Sequence, residues 1–194
     1  INATYIVFET GCAPIREQFR LDLPLYIINK DLPHVSVNFP YLSKQDDFLE
    51  SPNALADGKP LKFDILANMD DIIEEEFYIE LPLVVSKTLI SSAAKATAQY
   101  FAAKAAGDYG ILVNIGMSVL QAALNDADLR TWTTLPKQIK IAKTETPKDG
   151  KILIDNTPVY VNKKGLNIVY VKSMSKNGAK LVRTMDFNPL KTKK

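Results

Sequence analysis

The chain is poor in the residues on which most enzyme chemistry rests. Among 194 residues there is one cysteine, Cys12, and one histidine, His34. A single cysteine excludes an internal disulfide. A single histidine excludes zinc sites built from several imidazoles or thiolates. Only Cys12 and His34 remain from which a Cys–His nucleophilic pair can be drawn. His34 follows Pro33 and precedes a strand-like run, so it reads as a strand-end residue rather than a general base. Cys12 has no base near it in sequence and reads as a small apolar residue. Phosphate-binding loops are missing, since neither GxGxxG nor GxxxxGK[ST] occurs. No GxSxG elbow accompanies Ser86, Ser91, Ser92 or Ser118. No uninterrupted apolar run reaches about 18 residues, so no transmembrane helix is expected. The first residues lack a basic region followed by a long apolar one, so no signal peptide is visible. Eight glycines and eleven prolines are ordinary for this length and exclude collagen-like or low-complexity structure. No cofactor and no metal are expected from this composition.

Hydrophobic residues make up 46% and charged residues 24%, the balance of an ordinary globular domain. A chain of this length buries roughly 70% of the surface it exposes when unfolded. The net charge of +2 hides an asymmetry. Residues 1–136 hold 10 Lys/Arg and 18 Asp/Glu, a net of −8, whereas residues 137–194 hold 14 and 4, a net of +10. Such a division marks either a face for an acidic partner or a sheet whose outer side carries Lys. The sheet reading is favoured.

Periodicity divides the chain into strands, helices and strands. Tyr5–Phe8 is β-rich and closed by Gly11. Phe19, Leu21, Leu23 and Leu25 alternate with polar residues or proline, as do Val35, Val37 and Phe39, and Leu61, Phe63 and Ile65. Met69, Ile73, Phe77 and Leu81 then recur every four residues, on one helical face. Asp70, Asp71, Glu74, Glu75 and Glu76 fill the first turns, where carboxylates complement the helix dipole. Pro82 either kinks this helix or opens a new one. Ala-rich sequence continues to Ala106, and a second long helix is expected from about 109 to 125. Gly110 and Gly116 in it suggest close approach to a neighbour, the Ala-rich helix being the candidate. Beyond residue 137 come short strands separated by turn residues at 147–150, 155–156, 162–165 and 177–178. Asn177–Gly178 is the strongest hairpin signature. The expectation is an α+β domain over residues 1–190, with strands at 3–66, helices at 70–125, strands at 137–187 and a tail at 191–194. Two long central helices pack together on the sheet, and the C-terminal strands form an antiparallel meander.

Few residues stand out as a site. The acidic run 70–76 lacks the alternating ligands and central Gly of a calcium loop and reads as a solvated helix start. Trp132, the only tryptophan, lies close to Asp128 and Arg130 between the last helix and the meander. This group is either a recognition surface or a clasp that fixes helix to sheet. The clasp, with Trp132 buried and Arg130 paired to a carboxylate, is favoured. Basic residues near Tyr160 and Tyr170 invite a nucleic-acid reading, but no nucleic-acid-binding module is present and no such partner is expected.

Three stretches carry a resemblance. They are Glu9-Thr10-Gly11-Cys12-Ala13-Pro14-Ile15-Arg16-Glu17-Gln18-Phe19-Arg20, then Met69-Asp70 through Glu80-Leu81-Pro82, then Ala127-Asp128-Leu129-Arg130-Thr131-Trp132 through Leu135-Pro136. In this order and spacing they resemble an uncharacterised family of bacterial cell-envelope lipoproteins. There a lipidated N-terminus and a tetratricopeptide-like helical half precede a domain like this one. Cys12 departs from the small residue usual at its place, and its surroundings do not fit a lipidation site. The strand-like opening suggests a piece of something longer. The resemblance implies a periplasmic domain held at the outer membrane only through a lipid anchor outside this chain. It also implies no enzymatic activity and an assembly or scaffolding role. The implied partner is an envelope protein or a component of peptidoglycan synthesis. Arg16, Glu17, Arg20, Asp128, Arg130 and Trp132 are the candidate binding residues. The competing reading is a hydrolase that attacks an envelope polymer through carboxylates, which requires titratable groups converging with opposed pKa shifts.

Overall fold

The core forms around β1 (Ala3–Thr10), whose alternate side chains Ile6 and Phe8 are fully buried. The computed structural model describes residues 2–24, 27, 34–113, 115–116 and 129–187. Within these the chain divides into two compact units, one of residues 1–14, 44–73 and 132–194 and the other of residues 15–43 and 74–131.

The first unit is a two-layer sandwich. β1 lies at the centre of a five-stranded sheet. It runs parallel to β10 (Leu166–Ser173) and antiparallel to β7 (Gln138–Glu145). β6 (Asp64–Asn68) flanks β7, and β11 (Lys180–Phe187) flanks β10. A four-stranded sheet holds β5 (Lys59–Pro60), β4 (Ala54–Ala56), β8 (Lys151–Ile154) and β9 (Thr157–Tyr160), in that order. Period-two alternation places Ile6, Phe8, Ala142, Val169 and Val171 of one sheet against Ala54, Ala56, Ile152, Ile154 and Val159 of the other. Phe63 adds an edge-to-face contact to Phe8 with centroids 6.1 Å apart.

Two expectations fail here. The C-terminal strands do not form a meander, because β1 inserts between β7 and β10 while β8 and β9 leave for the other sheet. Periodicity shows that a strand is half-buried but not which strand it pairs with. In addition, a second sheet rather than a helix pair covers the core face of the five-stranded sheet.

Turn chemistry fares better. Asp155 and Asn156 both have positive φ, +45° and +66°, and close the two-residue β8–β9 hairpin. Gly150, at φ +72°, donates its N–H to the Pro147 carbonyl at 2.9 Å. Asn177–Gly178 does lie between paired strands, but in a six-residue connection over 174–179 and without positive φ at either residue. The loop is held from outside: Lys176 donates its N–H to Asp47 Oδ1 at 3.0 Å, and Ser173 Oγ donates to the Ser175 carbonyl at 2.9 Å.

The second unit contains the β2–β3 hairpin (Ile15–Pro24 and His34–Ser43) and most of α1 (Met69–Ala105). α1 is continuous through Pro82, and its stripe of Phe77, Leu81, Val85, Ser92 and Gln99 is buried or half-buried. It is the one long helix among the described residues, so the expected pair of long helices is corrected. Gly107–Tyr109 is a 3-10 turn, followed by helical residues 110–113 and 115–116, while 117–128 lie outside the described residues. A Cβ at Gly110 would sit 2.6 Å from the Ala103 carbonyl oxygen, which accounts for that glycine, whereas nothing approaches Gly116. By length and composition alone α1 is long and apolar enough to cross a membrane, although no uninterrupted apolar run in it reaches that length. Strands nevertheless predominate, at 42% of the described residues, and the class is α+β.

Candidate functional site

In the first unit, segments far apart in sequence meet at the C-terminal end of β1. Gly11 leaves the strand at φ +67°, and a Cβ there would lie 2.7 Å from Phe48 Cβ and 2.9 Å from Lys137 Cβ. Only glycine tolerates both the conformation and the approach. Four backbone bonds then tie the junction: Gly11 N–H to Ser173 at 2.8 Å, Ala13 to Leu135, Lys137 to Thr10 and Met69 to Lys137, the last three at 2.9 Å. The Met69 bond satisfies one of the orphan donors at the start of α1. The first-unit portions of all three resemblance stretches therefore belong to one hydrogen-bonded junction.

A buried ion pair lies inside it. Lys137 Nζ donates to Asp70 Oδ2, and both side chains are 8% exposed. Asp46 stands 3.7 Å from the same ammonium, and the Phe48 ring centroid 5.1 Å from it. Asp70 is thus not the solvated helix-start carboxylate that the acidic run suggested. Its Oδ1 is buried without a hydrogen-bond partner. Nothing in the sequence singled out Lys137, one of fourteen basic residues in the C-terminal segment.

Trp132 lies beside this junction and is 71% exposed. The expected burial is overturned. The 132–135 turn is pinned by its backbone: Leu135 donates to the Trp132 carbonyl at 3.2 Å, and Lys172 Nζ to the Thr134 carbonyl at 3.4 Å. The backbone is anchored and the indole is left outside. Half-exposed Cys12 is in the same region, its Sγ 3.8 Å from the Met174 carbonyl.

On the outer side of the five-stranded sheet, Glu9 accepts from Tyr170 Oη at 2.7 Å and pairs with Lys172 at 3.3 Å. Burial, then the bond to Glu9, push the Tyr170 phenol up to about 12.

The other candidates fall in the second unit. Arg16 pairs with Glu80 at 3.6 Å and lies over the Phe77 ring at 5.7 Å. Arg20 donates to Asp22 and to Ser36, both at 2.9 Å, and Ser36 donates to Asp22 at 2.6 Å. Glu17 points to the opposite strand face, where it accepts from Tyr41; that bond raises the Tyr41 phenol. Arg16, Glu17 and Arg20 thus each satisfy charges within their own hairpin and helix. Arg130 is exposed and belongs to the second unit, whereas Trp132 belongs to the first. Asp128 lies outside the described residues. The six candidates do not form one cluster within either unit. Among the described residues no three or more His, Cys, Asp or Glu side chains group as a metal site would require. Comparison with protein-family models, with curated proteins and with solved structures returns no match.

Proposed function

We propose that this chain is a non-catalytic binding domain of a bacterial cell-envelope lipoprotein that docks another envelope component, a protein or part of the peptidoglycan-synthesis machinery. The observation that carries the reading is the exposure of Trp132 on a turn whose backbone is fixed. A large aromatic held outside a rigid frame is costly to leave in water and loses little entropy on binding. Tryptophan is also among the residues most enriched at binding hot spots. The location at the outer membrane, through an anchor outside this chain, rests on the sequence resemblance and is part of the same proposal.

The test uses the fact that Trp132 is the only tryptophan. A photo-crosslinking residue at position 132 identifies the envelope partner. Titrating that purified partner should then shift the intrinsic emission to shorter wavelength. Trp132→Ala should abolish association while changing stability by no more than about 0.5 kcal/mol, as exposed substitutions do. If Trp132→Ala binds the partner as tightly as the parent chain, the proposal is wrong. A loss of about 3–5 kcal/mol, typical of a buried Trp→Ala change, would restore the clasp.

A further inference from the structure

The buried stripe of α1 has an apolar counterpart on the opposite side. Ile79, Leu83, Ile90 and Phe101 are 73%, 58%, 70% and 62% exposed. Ile79, Ile90 and Phe101 are spaced by eleven residues, three helical turns, and Leu83 is one turn from Ile79, so all four share one line. At 100° per residue this line lies roughly opposite Leu81, Val85, Ser92 and Gln99. The helix is therefore packed on one side and apolar on the other. A continuous line of large exposed apolar side chains is the kind of patch that marks an interaction surface.

We infer that this face pairs with the same face of a second copy of the chain, the two α1 helices running antiparallel. Three observations select this occupant. First, the apolar positions are self-complementary about a two-fold axis between Ser86 and Lys87. That axis sets Leu83 opposite Ile90 and Ile79 opposite Ala94, as an isologous interface requires. Second, every carboxylate of α1 lies between Asp70 and Glu80, and its lysines, Lys87, Lys95 and Lys104, follow. Antiparallel pairing sets the acidic third of one helix beside the basic remainder of the other, whereas parallel pairing sets carboxylates beside carboxylates. Third, a lipid surface fits poorly. Glu80, Lys87 and Lys95 interrupt the apolar stretch, the opposite side is buried or half-buried, and the polar positions near the seam start are acidic rather than basic.

Sedimentation equilibrium of the parent chain is expected to show a reversible monomer–dimer equilibrium. Leu83→Glu and Ile90→Glu are each expected to weaken it about 100-fold or more, since the two-fold axis repeats each change. Both sites are exposed in the protomer, so far-ultraviolet circular dichroism should stay unchanged, and Trp132→Ala should leave the dimer intact. With Cys12→Ser as background, Ser86→Cys next to the axis should form an intermolecular disulfide and Ile79→Cys should not. A chain that is monomeric at all concentrations overturns the inference. So does linkage at position 79, which would mean parallel pairing. So does a monomer that co-floats with phosphatidylglycerol-containing vesicles, which would make the face a lipid-binding one.

Discussion

Lys137 and Asp70 illustrate how little a residue's type reveals about its energy. Asp70 is one of five carboxylates in a seven-residue run, and Lys137 begins the most basic part of the chain. Folding buries both and leaves each dependent on the other. Removing one partner strands a buried charge. Asp70→Ala is therefore expected to cost about 3–5 kcal/mol in urea denaturation. Asp70→Leu combined with Lys137→Met should recover most of that loss, because no charge is then left unpaired. Tyr170 gives a pH signature. Its phenol ionises near 10 in an unfolded chain and at about 12 here. The folded state therefore holds the proton more tightly. The contribution is constant below pH 10 and is lost as the pH rises from there toward 12. Tyr170→Phe should flatten that part of the stability–pH curve, and an unaltered curve would show that other groups set it.

Among elements, hairpins were legible where their own two residues decide the turn. Asp155–Asn156 closes β8–β9 with both residues left-handed. Asn156→Gly removes the Cβ strain at that position and should raise stability by a few tenths to about 1 kcal/mol, measured by thermal melting. Asn177–Gly178 carried the stronger signature yet sits in a longer connection, because Asp47 and Ser173 hold the loop from outside. Helix α1 was legible from Met69 to Leu81 through its four-residue spacing. Its outer apolar line was not, since Ile79, Leu83 and Ile90 in an Ala-rich helix read equally well as core.

For the whole molecule, the charge asymmetry finds a tertiary explanation in the first unit. Acidic Glu9, Asp46 and Asp70 meet basic Lys137 and Lys172 there. Part of the −8 and +10 halves thus neutralise each other instead of forming two opposed faces. Most of the fully buried large side chains among the described residues also lie in the unit built around β1. Hydrogen exchange followed by mass spectrometry should find the slowest amides in β1 and β10, and much faster ones in the β2–β3 hairpin. Equal protection of the two would mean that the sandwich is not the most stable part.

Local chemistry determined the strand periodicity, the start of α1 and the tight β8–β9 turn. Each of these depends on residues within a few positions of one another, where backbone sterics and alternation act directly. Tertiary structure alone decided that β1 separates β7 from β10, that Lys137 reaches Asp70 across 67 residues, and that Trp132 is left exposed. These depend on which apolar faces meet, and burial is a property of the neighbours that arrive, which no single segment specifies.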